Sequence, residues 1–503
     1  MKHLYYSILI GCILLFTGCN DWLDVKPRSE TTEKTLFSTE EGYKSALTGV
    51  YIKLGASNLY GRNTSMYVPE ALARSWEIPS FNTSQGSQTS ALIGNILYKI
   101  GEEYDYTYPG VESIINSIWS DYYNAVSQIN NILENLEGNK ITFSQNNDQL
   151  IKGEALGLRA FIHLEVLRFY GPVPLGLTGN QTDVIPYVTE MTKDPNKLIS
   201  KSYSEVLELL EKDLDNAEKL LAGIDPIFHY TNNELNKQIV GGNAPKDEWH
   251  CYRQNRFNYY AVLGTKARFY HWIGNKEKAA SYAKLVIEAE NKNGTKKFPL
   301  SNRTNSYGVD GNLVMFCEHL FGLHNADLQN IVQPLFVNEK PIFRQSRLII
   351  EEAYEIGIHR SDVRAQEGVY WEFDETTTNW ENHFLKYSKS NNEKAKNVIP
   401  LLRLAEMYFI AIENLPIGEE TTSLFSEFGE ARSLDATIFN SLTDEAAVIS
   451  RMEKEYRKDF FGEGQMFFFY KRHNYRTYRW PLSFEIPQGA YVLPKPKGQL
   501  SFE

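Results

Sequence analysis

Apolar residues recur three and four positions apart through most of this chain, the spacing that lines one face of an α-helix. Val111, Ile114, Ile115, Ile118, Trp119, Tyr122, Val126, Ile129, Ile132, Leu133 and Leu136 hold that stripe for about seven turns. The same spacing predicts helices over 38–54, 148–170, 202–222, 397–414 and 443–460. Ser38 and Glu41 stand at capping-box distance before the first, with Tyr43, Leu47, Val50, Tyr51 and Leu54 on one face. Val206, Leu209, Leu210, Leu214, Ala217 and Leu221 point inward in the third. Gly171-Pro172-Val173-Pro174 stops the second, because neither proline can continue a helix.

A further pair, 255–273 and 276–290, turns at Gly274-Asn275. Ala267 and Ala279 lie at positions that resemble the small residues of a tetratricopeptide repeat, where one helix packs closely on its partner. A generic αα-hairpin fits the same pattern. The fold expected is mainly α: stacked helical hairpins in a tetratricopeptide-like superhelix, with long irregular loops and a few short strands such as Leu313 to Phe316. Two stretches break the periodicity. Residues 55–110 are rich in Gly, Ser, Asn and Thr and read as an irregular loop of a length that is usually functional or disordered. Residues 291–345 are loop-rich, and the chain from Arg479 onward is Pro-rich and extended.

The amino end has its own logic. Met1-Lys2-His3 precedes a short apolar run from Tyr5 to Phe16, too short to cross a bilayer as a helix. Leu15-Phe16-Thr17-Gly18-Cys19 then resembles a bacterial lipobox, in which the cysteine is acylated and becomes the first mature residue. An ordinary cleaved signal with a chance cysteine is the alternative. The expected organisation is a signal peptide at 1–18, a lipidated tether at 19–37 and one domain at 38–503. That domain has an N-terminal part of about 38–225 and a C-terminal part of about 255–503. Beyond the tether the membrane is met only through the lipid.

The net charge of −11 argues against nucleic acid or anionic lipid as a partner. Cys251 and Cys317 each have a histidine nearby, but the spacing is not that of a zinc site; buried thiols or a disulfide remain open, and no metal or cofactor is expected. No HExxH, GxSxG, P-loop or dinucleotide fingerprint occurs, so the chain is not expected to be an enzyme. Asp362 and Arg364 read as an ion pair or a helix boundary.

Three segments together resemble the SusD/RagB outer-membrane lipoproteins of Bacteroidetes nutrient uptake. They are Gly153-Glu154-Ala155-Leu156-Gly157-Leu158-Arg159-Ala160-Phe161, continuing through Leu167 to Leu175; Ile399-Pro400-Leu401-Leu402-Arg403-Leu404-Ala405-Glu406-Met407-Tyr408; and Glu455-Tyr456-Arg457-Lys458-Asp459-Phe460-Phe461-Gly462-Glu463-Gly464. The lipobox, Leu23-Asp24-Val25-Lys26-Pro27 and Asp362-Val363-Arg364 fit in order. The chain departs from the pattern at Gln465-Met466-Phe467-Phe468-Phe469-Tyr470 and in ending without an Asn-Pro after Pro494-Lys495-Pro496. On their own chemistry the motifs are structural: Arg159 with Glu154 and Arg403 with Glu406 read as paired buried charges that fix helix register.

The resemblance implies a cell-surface binding protein, lipid-anchored on the outer membrane and facing the exterior. It would capture oligosaccharide and pass it, uncut, to a SusC-like TonB-dependent barrel. A RagB-like peptide lid and a structural lid without its own ligand are the alternatives. Sugars are held on flat aromatic faces flanked by amides, which makes Trp76, Phe81, Tyr98, Tyr104, Tyr106 and Tyr108, with Asn82 and Gln85, the binding candidates of the 55–110 segment.

Overall fold

A computed structural model describes residues 33–78, 88–138, 140–174, 176–177, 183–192, 194–237, 242–304, 312–338, 341–366, 368–373, 382–388 and 395–501. The long helices, in chain order, are α1 (Glu40–Gly55), α2 (Gln88–Gly101), α3 (Pro109–Leu136), α4 (Asn147–Tyr170), α5 (Tyr203–Leu221) and α6 (Tyr259–Trp272). They continue with α7 (Lys276–Ile287), α8 (Leu404–Asn414), α9 (Glu419–Ala431), α10 (Glu445–Asp459) and α11 (Gln465–Arg472). Neighbours in sequence pack on one another: α1 on α3, α3 on α4, α4 on α5, α5 on α6, α6 on α7, α7 on α8, and α8 on α9 and α10. This is the expected stack of helical hairpins.

Local signals set the ends. Ser202 and Glu205 form a reciprocal capping box at α5. At α1 the cap is Thr39, whose hydroxyl accepts from Gly42 N at 3.1 Å; the Ser38 hydroxyl instead turns back to Thr35 O. In the α6–α7 hairpin Ala267 and Ala279 are fully buried, and Tyr270 stacks on Tyr282 with centroids 5.6 Å apart.

α4 is buried along nearly its whole length. Two glycines make that possible. A Cβ on Gly153 would lie 2.7 Å from the Leu221 side chain, and one on Gly157 would lie 2.5 Å from the Phe257 ring. The C-terminal carbonyls of α4 are capped by Lys471, a buried ammonium that donates to Arg168 O at 2.7 Å and Gly171 O at 2.8 Å.

Strands correct two expectations. The predicted strand at Leu313 to Phe316 lies just before the real one, β1 (His319–His324). The predicted helix over 397–414 begins as β4 (Val398–Arg403), antiparallel to β1, and becomes α8 only after Arg403. Pro400 explains the difference: it cannot serve inside a helix but is tolerated in a two-stranded ribbon, where it faces Gly322. The short strands β2 (Trp371–Glu372) and β3 (His383–Phe384) pair antiparallel. Helices α9 and α11 fall where the periodicity predicted none.

The motif charges are paired, but not as expected. Arg159 forks onto Asp213 with both bonds at 2.7 Å, Glu154 is held by Arg253, and Glu406 by Arg268 at 2.7 Å. Each bond joins different elements rather than one helix face. Arg403 enters a larger cluster centred on Asp459. That carboxylate accepts from Arg364 at 3.2 Å, Arg403 at 2.9 Å and Arg432 at 2.8 Å. Arg403 also reaches Glu463 at 2.9 Å and Glu318 at 3.0 Å, and Arg432 reaches Glu318 at 2.7 Å. Arg364 binds Asp362 and Glu455, each at 2.8 Å, and Asp362 also caps a 3-10 turn at Val363–Ala365, so the pair is both an ion pair and a helix boundary. All of these side chains are buried. The cluster pins β4, α10, the turn after α10 and the segment before β1 to one point.

Two predictions follow from these charges. Asp459→Ala leaves three buried guanidinium groups short of a partner and is expected to destabilise the fold by about 3–5 kcal/mol, whereas Ile52→Ala, at a side chain 70% exposed, should change it by less than about 0.5 kcal/mol; urea denaturation measures both. Acid should also destabilise. Neighbouring cations hold the Glu455 carboxyl down to about 2 against burial, and burial holds His163 and His319 down to about 3. Folded pKa values below the unfolded ones mean stability is present above the unfolded pKa and lost as pH falls through the folded one. Urea midpoints are expected to drop from pH 6.5 for the histidines and further from pH 4.5 towards 2 for the carboxylates; a flat profile would contradict this.

Candidate functional site

Four irregular segments lie side by side. Glu77 and Arg344 exchange backbone bonds of 2.8 and 3.2 Å. Gln345 Nε2 donates to Ser75 O at 3.1 Å, and Asn382 Nδ2 donates to Gln345 O at 2.7 Å. β2 and β3 complete the group, with Trp371 opposite Phe384.

Trp76 forms their common floor. Its ring lies 5.3 Å from Phe336, 5.5 Å from Phe343, 5.7 Å from Trp371, 5.4 Å from Phe384 and 5.3 Å from Phe461, centroid to centroid. Its indole N–H donates to Glu70, which also accepts from Gly464 N at 2.6 Å. Burial pushes the Glu70 carboxyl up to about 7, against those hydrogen bonds. Gly464 has φ +74°, and a Cβ there would fall 2.3 Å from Ser65 O, so this position of the Glu-Gly motif admits glycine on both grounds.

The sequence candidates divide three ways. Trp76 is 2% exposed and Tyr104 8%; Tyr104 stacks on Phe484 and donates to Leu72 O at 2.8 Å. Both belong to the core, because each ring packs against other aromatics and each polar atom is satisfied inside. In this conformation neither offers a face to a ligand. Tyr98, Tyr106 and Tyr108 are half-buried, and the Tyr106 hydroxyl donates to Ala490 O. Lys99 Nζ stands 5.9 Å over the Tyr108 ring at the start of α3. Phe81, Asn82, Gln85 and Cys19 lie outside the described residues. The 55–110 segment is also less irregular than expected, since it contains a π-turn at Asn63–Tyr67, a short helix at Val68–Leu72 and then α2.

Other segments supply groups that the sequence pattern missed. Arg347 lies 4.8 Å over the half-buried Phe373 ring, and the neighbouring Leu348 is 75% exposed. Arg74 lies 3.8 Å over Phe484 and bridges to Glu102 at 2.6 Å. Guanidinium groups over partly open aromatic rings give a surface with flat apolar patches and forked donors, suited to sugar faces and hydroxyls. The signal available was the aromatic density of 369–384 and 478–486, which lacks any period. No group of three or more His, Cys, Asp or Glu suited to a metal occurs among the described residues. Cys251 and Cys317 are not joined in a disulfide, and burial pushes the Cys317 thiol up to about 12. No described helix is long and apolar enough to cross a membrane.

Residues 21–233 match the model of a SusD-like family described as "Starch-binding associating with outer membrane". Among solved structures, a SusD superfamily protein from Bacteroides thetaiotaomicron VPI-5482 superposes with a TM-score of 0.65 at 19% identity, over 92% of this chain and 98% of that one. A SusD-like carbohydrate binding protein from Bacteroides vulgatus ATCC 8482 gives 0.66 at 17% identity, over 92% and 96%. These likenesses are of fold. No curated protein matches the chain.

The burial of Trp76 predicts that Trp76→Ala costs about 3–5 kcal/mol of stability, read by thermal or urea denaturation. A variant of wild-type stability would return Trp76 to the list of surface residues.

Proposed function

We propose that this chain is a SusD-family protein, a non-catalytic receptor that captures oligosaccharide at the cell surface. It delivers the ligand to a SusC-like TonB-dependent barrel in the outer membrane. An acylated Cys19 holds it there, facing the exterior.

The observation that carries the reading is the convergence of irregular segments over the Trp76 floor, in a chain matched by a starch-binding, outer-membrane-associated family. Phe373 with Arg347, and Tyr98 with Tyr108, are the side chains assigned to the ligand. Geometry relative to the anchor supports this. The described chain begins at Glu33, which accepts from Asn135 Nδ2 at 3.1 Å near the end of α3. Tyr108 caps the other end of that helix. The 28 residues of α3 put about 42 Å between the two, so Glu33 and Tyr108 sit at opposite ends of that helix.

Glycan-array or calorimetric titration of the purified protein tests the assignment. Phe373→Ala combined with Arg347→Ala is expected to weaken binding by at least about tenfold, the equivalent of about 1.4 kcal/mol, with the melting temperature held. Undiminished affinity would remove these residues from the site. Turnover of the bound oligosaccharide would overturn the non-catalytic reading.

A further inference from the structure

The segment 226–234 and the hairpin 290–296 enclose a pocket of about 220 Å³. Phe228, Tyr230, Asn243, Asn291 and Asn293 line it. Its two walls are joined from beneath by Lys297. This buried ammonium donates to the carbonyls of Ile227 and Tyr230 on one wall and to Asn291 Oδ1, at 3.2 Å, on the other. All three partners are neutral oxygens, and burial holds the Lys297 pKa down to about 8.

The rest of the frame is equally committed. Asn291 Nδ2 donates to Thr295 Oγ1 at 3.0 Å and Lys296 O at 3.1 Å. Asn232 Nδ2 donates to Lys297 O at 2.9 Å, and Thr231 and Glu234 close a capping box on the far rim. The pocket is therefore shaped before any ligand arrives, which lowers the ordering cost of binding.

Other groups on the same walls are uncommitted. The Tyr230 hydroxyl, the Asn243 amide and Asn293 Nδ2 have no hydrogen-bond partner among the described residues, while Asn293 Oδ1 accepts from Thr295. They present donors and acceptors without charge beside the Phe228 and Tyr230 rings. Lys292 and the Glu234 carboxylate offset one another at the pocket, and the Lys297 ammonium is committed to three oxygens of its frame rather than to the opening. A pyranose ring has the matching character, with an apolar face and a rim of neutral hydroxyls.

We propose that this pocket is a second saccharide site, separate from the loop surface, that takes one terminal sugar of a neutral glycan. The proposal rests on the carbohydrate-binding reading above and adds a place where a long chain is held at a second point, so that two weak contacts act as one strong one.

The test is to soak crystals of the protein separately with maltose, cellobiose, lactose and chitobiose, and to measure the same sugars in solution by saturation-transfer NMR. At least one disaccharide is expected in the pocket. Tyr230→Ala with Asn243→Ala, both partly or fully solvent-facing, should weaken that binding by at least about tenfold while Phe373→Ala leaves it intact. An empty pocket with all four sugars, or solution binding unchanged by the Tyr230 and Asn243 pair, overturns the second site. Sugar over Phe373 with an empty pocket would do so while leaving the capture reading standing; sugar in the pocket alone would keep the second site and remove the loop surface.

Discussion

The buried carboxylate of Asp459, shared by three guanidinium groups, is the constraint on which the C-terminal half depends. Each arginine comes from a different part of the chain: Arg403 from the β4–α8 junction, Arg432 from the end of α9, and Arg364 from the turn before β2. Desolvating so many charges is costly, and such a cluster is favourable only when every member is bonded. That demand makes it selective. An arrangement that displaced any of these segments would leave a buried charge without a partner, a penalty that hydrophobic burial alone does not impose.

The cluster also reaches the candidate site. Arg403 and Lys386 both bind Glu463. The next residue, Gly464, donates its N–H to Glu70, and Glu70 holds the Trp76 indole. Trp76 in turn supports the rings of Phe343, Trp371 and Phe384, whose segments carry the exposed groups. A rigid floor under irregular loops lets ligand-facing residues vary without loss of the fold. The most recognisable stretches of the sequence thus hold this support together.

The helical stack was legible because one apolar face per helix leaves a period that a reader can follow. Ala267 with Ala279 and the stop at Gly171-Pro172 behaved as their local chemistry required, whereas the cap expected at Ser38 lies one residue on, at Thr39. The failures have physical causes too. Val398 to Leu402 is apolar without interruption, so periodicity does not separate a buried strand from a helix there, and Pro400 is the residue that excludes the helix. Trp76 and Tyr104 stand among polar residues in sequence, yet both are buried by segments more than two hundred residues away. Arg159 and Glu154 share a helix but pair with Asp213 and Arg253, contacts that no local spacing encodes.

Amide hydrogen exchange in an Arg403→Met variant tests the dependence of the loop floor on the charge cluster most directly. If the floor hangs from the cluster, protection is lost first in 75–78, 341–347 and 382–388, while α3, α4 and α5 exchange as in the parent protein. Exchange that rises uniformly over every helix, or that leaves those three segments as protected as before, would contradict it.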